Sequence, residues 1–310
     1  MRHPLRLMLP VLLIGCTAPV VAPVAPPAPV PVRVVAPAQP MASAASESAR
    51  IYYGQVQTQL LSQGLMRADG GGVDTPYTDR MLAENFIRVA LFDEYRNGPA
   101  GPVQSETASR LRRWDDAVRV SLRFGASVPA DKRATDTARV ASYLARLQAL
   151  TGHPIALNDS NANFIVEVVN EDERRSLGPS VMAALPGLSP AELDGITNLQ
   201  RNTYCLVYSF AGTGSSSYTR AYAVIRAEHP DLLRLSCFHE EIAQGLGLAN
   251  DSRSARPSIF NDDEEFALLT TQDELMLRML YDPALQPGMT EGQARPIVET
   301  LAAQLLGGEG

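Results

Sequence analysis

The chain has 310 residues, of which 45% are hydrophobic and 20% are charged, and its formal net charge at pH 7 is -7. This composition is typical of a globular protein with one sizeable core or two small ones, and it excludes a disordered chain. A general nucleic-acid surface needs clustered lysine and arginine, and the sequence has no basic run, so we expect no nucleic-acid partner.

The first residues predict an exported protein. Arg2 and Arg6 precede an apolar stretch over 7–14, and a small residue comes directly before Cys16. The apolar stretch is too short to span a bilayer, and a basic start followed by such a stretch is typical of a signal peptide. We therefore expect residues 1–15 to be removed on export.

The tetrapeptide Leu-Ile-Gly-Cys at 13–16 resembles the lipobox of bacterial lipoproteins. The resemblance implies that Cys16 is lipidated and becomes the first residue after cleavage, so that acyl chains anchor the protein in a membrane of the cell envelope. Thr17 after the cysteine, rather than aspartate, implies sorting to the outer membrane, facing the periplasm. A secretory signal peptide with an incidental cysteine is the alternative.

A stretch rich in proline, alanine and valine follows over 17–40 and has neither a helical nor a strand period. Proline removes backbone donors and favours polyproline II, so this stretch cannot join a packed core. We interpret residues 16–46 as the lipidated cysteine and a tether, which at about 3.1 Å per residue could reach up to about 70 Å. A ligand for an aromatic groove is the alternative role.

The rest of the chain alternates between helical and strand patterns. Apolar residues at helical spacing over 47–67 predict a helical preface, assigned to 47–74, which ends in a glycine-rich loop. Thr78 can cap a helix over 79–96, in which four apolar residues share one face. These four residues are Leu82, Phe86, Ala90 and Leu91.

Strands are predicted where β-branched or alternating residues run for six or more positions, over 118–125, 164–169, 203–210 and 218–228. A helical pattern over 134–150 separates the first two, and a turn joins the last two into a hairpin. Strands followed by helices towards the end of the chain predict an α+β fold for residues 75–310.

Two cysteines remain after Cys16, namely Cys205 and Cys237. An even number of cysteines in an oxidising compartment favours a disulfide, so we expect these two to be bridged. Two separate buried thiols are the alternative, because a sequence does not show whether two Cα atoms come within bridging distance.

Residues 237–252, which read CFHEEIAQGLGLANDS, predict an amphipathic helix with a polar stripe. The zincin motif HExxH uses such a helix, with two metal ligands at i and i+4 and a glutamate as general base. A register that begins at His239 fails, because Ala243 would be the second ligand. We therefore expect His239 to be a structural residue.

A register shifted by one residue resembles the longer metzincin pattern HExxHxxGxxH. Glu240, Gln244 and Asn250 then stand where that pattern has its three histidines, and Asp251 follows them. The resemblance implies that Glu241 occupies the general-base position, with a catalytic role only if the site is active. It also implies that the glycine at 247 makes the turn after the helix.

The resemblance extends beyond this helix. Residues 256–263 fall where metzincins have their Met-turn, with Phe260 near the methionine position, and residues 269–283 resemble the C-terminal helix. Together with segments 163–175 and 280–289, these stretches resemble the bacterial domain of unknown function 2927, a metzincin-like family of exported proteins. The resemblance implies a metzincin-like (zincin-like) domain over 75–310, with a mixed sheet, a motif helix and C-terminal helices.

The substituted positions change which metal the site would accept. Glu240 can bind zinc, but the amide oxygens of Gln244 and Asn250 are weak zinc ligands compared with imidazole nitrogen, so we do not expect zinc. Calcium accepts carboxylate and amide oxygens. Asp251 could add charge to such a site, and so could two aspartates in the following loop.

These loop aspartates are Asp262 and Asp263, and they have an alternative role. Arg253 and Arg256 lie nearby in the sequence, and oxygen clusters on surface loops are usually solvated or paired with such arginines. The metal, if there is one, is therefore left open.

Two functions follow. The first is an envelope lipoprotein whose degenerate metallopeptidase-like domain lacks zinc peptidase activity and acts as a binding or structural module for a peptide, glycan or protein partner. A purely structural role of the polar stripe is a further alternative, in which Glu241 and Gln244 hydrogen-bond the loop over 250–263 and close the cleft. The alternative is an active hydrolase, directed at peptides or glycans, with an oxygen-ligand metal site around Glu240, Glu241 and Gln244.

Overall fold

The computed structural model describes residues 42–98 and 101–307, with the backbone alone for 94–98 and 101–106. The predicted signal peptide, Cys16 and the tether up to residue 41 lie outside the described residues. Within the described ranges, no helix is both long and apolar enough to cross a membrane.

The helical preface forms helix α1 (Ala44–Ser62), which begins three residues before the predicted start and ends five residues before the predicted end. The Ser43 hydroxyl caps it by accepting a hydrogen bond from the Ser46 amide at 3.2 Å. Tyr53 attaches the helix to the rest of the domain. Its ring is fully buried and packs edge-on against the His229 ring, with 4.5 Å between the ring centroids.

Helix α2 (Asp79–Ala90) is capped as predicted, since the Thr78 hydroxyl accepts a hydrogen bond from the Met81 amide at 3.2 Å. The predicted extent to residue 96 is wrong. The chain leaves the helix after Ala90 and forms strand β1 (Phe92–Gly98), which pairs antiparallel with β2 (Gly101–Ala108). The β1–β2 ladder supplies the backbone hydrogen bonds that a longer helix would have supplied. The segment can therefore form a hairpin despite its local helical pattern.

The main sheet contains six strands, five of them parallel. Its order is β3-β8-β6-β4-β5, and β7 pairs antiparallel with β8. The strands are β3 (Arg113–Trp114), β4 (Val118–Phe124), β5 (Ile155–Leu157), β6 (Phe164–Val169), β7 (Cys205–Ala211) and β8 (Ser217–Arg226). The four predicted strands and the predicted hairpin are thereby confirmed, as is the mixed sheet.

Helices cover both faces of this mostly parallel sheet, so the domain is a mixed α/β structure, whereas the order of the elements in the sequence predicted α+β. Parallel neighbours need crossovers, and α3 (Ala130–Thr151) provides the one between β4 and β5. This helix contains the predicted 134–150 and extends beyond it at its start. Strand β6 is buried along its whole length, as expected for a central parallel strand.

Alternate residues of the central strands enter two different cores. The larger core joins α2 and α3 to α7 (Asp231–Leu246), α8 (Thr271–Leu280) and α9 (Glu291–Leu305). The smaller core lies on the other face of β6 and β8, beneath α5 (Gly178–Ala184) and α6 (Pro190–Thr197). Between β6 and α5, the short helix α4 (Glu171–Arg175) carries the buried Arg174.

Helix α7 approaches its neighbours too closely for side chains at two positions. A Cβ atom at Gly245 would lie 2.4 Å from the ring of Phe164 on β6. A Cβ atom at Gly247 would lie 2.3 Å from the carbonyl oxygen of Arg112, and the φ of Gly247 is +131°. The turn after α7 therefore requires glycine for both its conformation and its space.

We predict that Gly247→Ala lowers the free energy of unfolding by about 3 kcal/mol or more, because a backbone carbonyl cannot move away as a flexible side chain can. Gly292→Ala is the matched control, since a Cβ atom there meets nothing within 4 Å. In chemical denaturation the control should be neutral or stabilised by up to about 1 kcal/mol. Equal stabilities of the two variants would contradict the close approach.

Candidate functional site

The predicted amphipathic helix is confirmed as the second half of α7, which begins six residues before Cys237. The predicted bridge is confirmed too. Cys237 is joined to Cys205, the first residue of β7, with 5.9 Å between the two Cα atoms. The bridge fastens the antiparallel strand to the motif helix and brings Glu240 and Glu241 beside that strand.

His239 is a structural residue of the core, as predicted. Its ring is buried and stacks on the ring of Tyr143 with 4.0 Å between centroids, and its Nδ1 accepts a hydrogen bond from the Leu269 amide at 3.2 Å. Burial, with a smaller contribution from the Arg146 charge, lowers the pKa of His239 to about 3. The side chain is therefore a neutral core residue at ordinary pH.

We predict that His239 makes the protein sensitive to acid. Its pKa is about 3 in the folded chain and about 6.5 in the unfolded chain. The unfolded chain therefore binds the proton first, and the free energy of unfolding falls as the pH drops from 6.5 towards 3, by about 1.4 kcal/mol per pH unit. In His239→Asn, which keeps an acceptor for Leu269, this slope should fall by that amount. Parallel curves of unfolding free energy against pH for wild type and variant would contradict the assignment.

Gln244 and Asn250 are engaged by different parts of the fold. The Gln244 side-chain amide donates to the Asp251 carboxylate at 2.9 Å. Asn250 is buried at the end of α2, where its side-chain amide donates to the Arg88 carbonyl at 2.9 Å and its backbone amide to the Val89 carbonyl at 3.0 Å. The Asn250 Oδ1 atom is buried and accepts no hydrogen bond from the described residues.

Glu240 and Glu241 lie closer together than their positions on the helix suggest. Neighbouring helical residues point about 100° apart, yet one carboxylate oxygen of each lies within 4.8 Å of the other and of the Cys205 sulfur. Two long side chains can bend towards one point, which the helical wheel does not show. Glu241 is buried and Glu240 is half-buried, while the Cys205 sulfur is held in the bridge.

The loop aspartates are paired with groups of their own loop. Arg253 donates to Asp262 at 3.1 Å, and Asp263 accepts a hydrogen bond from the Glu265 amide at 3.0 Å. Arg256 pairs with Glu265 at 2.6 Å. The Arg253–Asp262 pair is the arginine pairing that was the alternative to a calcium role, whereas Arg256 pairs with Glu265 and not with an aspartate.

A buried carboxylate that the sequence analysis did not single out organises the same loop. Asp273, fully buried in α8, accepts hydrogen bonds from the amides of Ile259 at 3.0 Å and Thr270 at 2.8 Å. The hydroxyls of Ser258 and Thr270 donate to it as well. The Thr270–Asp273 spacing is that of a capping box, which is the signal that could have identified it.

Glu240, Gln244 and Asn250 do not fit a three-ligand zinc site. Two of the three offer amide oxygens, which are weak zinc ligands. Their amide nitrogens are committed to two different partners, the Asp251 carboxylate and the end of α2. Phe260, which resembles the Met-turn position, is fully buried in the larger core.

Fold and site together define a mixed α/β domain in which α7 is bridged by a disulfide to the antiparallel strand β7. The family model described as "Protein of unknown function (DUF2927)" matches residues 79–300, and the chain belongs to this family. The predicted resemblance to that family is therefore confirmed, and α1 lies before the matched region. No curated protein matches the chain, and no solved structure does.

Proposed function

We propose that this is a lipid-anchored envelope protein whose metzincin-like domain lacks zinc peptidase activity and binds a partner beside α7 and β7. The observation that carries the proposal is the use of Asn250, at the third ligand position, as a buried link to α2. A side chain committed to the fold in this way is not available to a metal in the cleft.

The metzincin-like assignment has support from the arrangement of the elements. The helix with the substituted pattern follows β8, packs beside β7, and turns at a glycine in the position that the pattern requires. Helix α8 follows the loop at Phe260, as the resemblance implies for a C-terminal helix.

Strand β7 supports a peptide as the partner. Among the described strands it pairs only with β8, and all seven of its residues are half-buried. A strand with one unpaired edge presents backbone donors and acceptors, to which an extended peptide can add as a further strand. The half-buried Glu240 lies beside the start of this strand, near the end at which such a peptide would add.

A hydrolase is the second candidate, because the carboxylate oxygens of Glu240 and Glu241 lie within 4.8 Å of each other. Two carboxylates at such a separation can divide the roles of acid and base between them. In this candidate Glu241 is the base. The hydrolase predicts turnover that is lost on adding a chelator or on substituting a carboxylate, whereas the binding module predicts no turnover.

The anchor is tested by labelling. Because thioether lipidation needs the cysteine sulfur, Cys16→Ser should abolish incorporation of labelled palmitate and leave the protein unprocessed or outside the membrane fraction. Thr17→Ser is the matched control and should label as the wild type does. Equal labelling of wild type and Cys16→Ser would refute the anchor.

The metal is tested by elemental analysis of the full-length protein, purified in detergent without chelator and with its disulfide intact. We predict less than stoichiometric zinc in the wild type, because the three substituted positions offer one carboxylate and two amides. Near-equimolar zinc that is lost in Gln244→Ala, together with chelator-sensitive proteolysis, would overturn the proposal and favour the hydrolase.

A further inference from the structure

We propose that reduction of the Cys205–Cys237 bridge creates a metal site, in which Cys205, Glu240 and Glu241 bind a zinc-type divalent cation. The inference concerns the protein with a reduced bridge, and it does not depend on whether the protein with an intact bridge binds a partner. It uses a different donor set from the substituted positions at Gln244 and Asn250.

The three donor atoms are already close together. The Cys205 sulfur and one carboxylate oxygen each of Glu240 and Glu241 all lie within 4.8 Å of one another. Zinc-ligand bonds of about 2.0 to 2.3 Å place tetrahedral ligand atoms roughly 3.3 to 3.8 Å apart. A contraction of about 1 Å, which side-chain rotation can supply, therefore brings the donors to bonding distance.

Packing independent of the bridge holds the strand and the helix in register. Gly245 lets α7 lie against the sheet, where its Cβ position would be 3.4 Å from the Val207 side chain on β7. The indole nitrogen of Trp114 donates to the Gly245 carbonyl at 2.8 Å. Opening the bridge therefore leaves Cys205 facing Glu240 and Glu241.

The two sulfurs have different surroundings, which decides which of them serves the metal. Cys237 is buried, and its sulfur lies 3.7 Å from Nδ1 of the buried His229. Once released, this thiol has a neighbouring nitrogen to which it can donate. Cys205 is half-buried, as is the neighbouring Glu240, so this pair is partly accessible to solvent whereas Cys237 is not.

The chemistry balances with a dithiol as reductant. The bridge accepts two electrons and two protons, its S–S bond breaks to give two thiols, and the dithiol is oxidised to a disulfide. The Cys205 thiol then loses its proton to solvent as its sulfur bonds to the cation. One thiolate and two carboxylates suit zinc, whereas calcium and magnesium prefer oxygen donors alone. Three protein ligands leave a fourth position open.

Two single variants test the two sulfurs one at a time, and neither needs a reductant. Cys237→Ser leaves Cys205 as a free thiol beside the carboxylates, and Cys205→Ser leaves only Cys237. With Co²⁺ as the probe, Cys237→Ser should bind a single equivalent and show thiolate-to-cobalt charge-transfer absorption, and Cys205→Ser should show none. Adding Glu240→Gln and Glu241→Gln to Cys237→Ser should weaken binding at least about 10-fold, since even groups that only orient ligands change metal affinity by that factor.

The wild type supplies a second measurement in case a variant fails to fold. Reduced with a phosphine and freed of it under argon, the wild type should bind Co²⁺ with the same absorption, and the oxidised protein should not. The inference is overturned if the reduced wild type shows no charge-transfer band. It is equally overturned if the two cysteine variants bind alike, or if the glutamine substitutions leave the affinity unchanged.

Discussion

The close approach of α7 to its neighbours is the constraint on which the site depends. Gly245 lets the helix lie against the Phe164 ring, and Gly247 lets the chain turn beneath the Arg112 carbonyl. At this distance the helix can be bridged to β7, and its two glutamates come beside Cys205. The same turn carries the chain to Asn250, which closes against the end of α2. A side chain at either glycine would push α7 away from its neighbours and so weaken all of these contacts at once.

Two of the positions that the resemblance to metzincins would assign to metal ligands, Gln244 and Asn250, link segments of the fold. Gln244 joins the helix to Asp251, and Asn250 joins the following chain to α2. Beyond them, the buried Asp273 collects four hydrogen-bond donors and fixes the loop that runs from residue 258 to 270. Polar groups in such a network are each satisfied by a specific partner, which stabilises one arrangement of the loop against others.

Local patterns were sufficient for much of this architecture. The alternation and β-branching of residues 164–169 predicted β6, and the polar stripe predicted the second half of α7. The hairpin after Ala90 was missed, because its ladder is formed with a segment whose pairing no helical or strand period reveals. The sequence left the convergence of Glu240 and Glu241 open, as part of the alternative function, since a helical wheel fixes directions at Cβ and not where long side chains end. Helices α4 to α6 are short and were not predicted; capping boxes mark α4 and α6, but α5 has no side-chain cap that could have indicated it.

The stability of Asn250→Ala tests most directly whether a substituted ligand position serves the fold. Removing this buried amide deletes its hydrogen bond to the Arg88 carbonyl and creates a small cavity, which should lower the free energy of unfolding by about 2 kcal/mol or more. The loss should be the same before and after dialysis against a chelator. The exposed Asn202→Ala is the control and should change stability by less than about 0.5 kcal/mol. An Asn250→Ala protein as stable as this control, or one whose loss disappears after dialysis, would contradict the account.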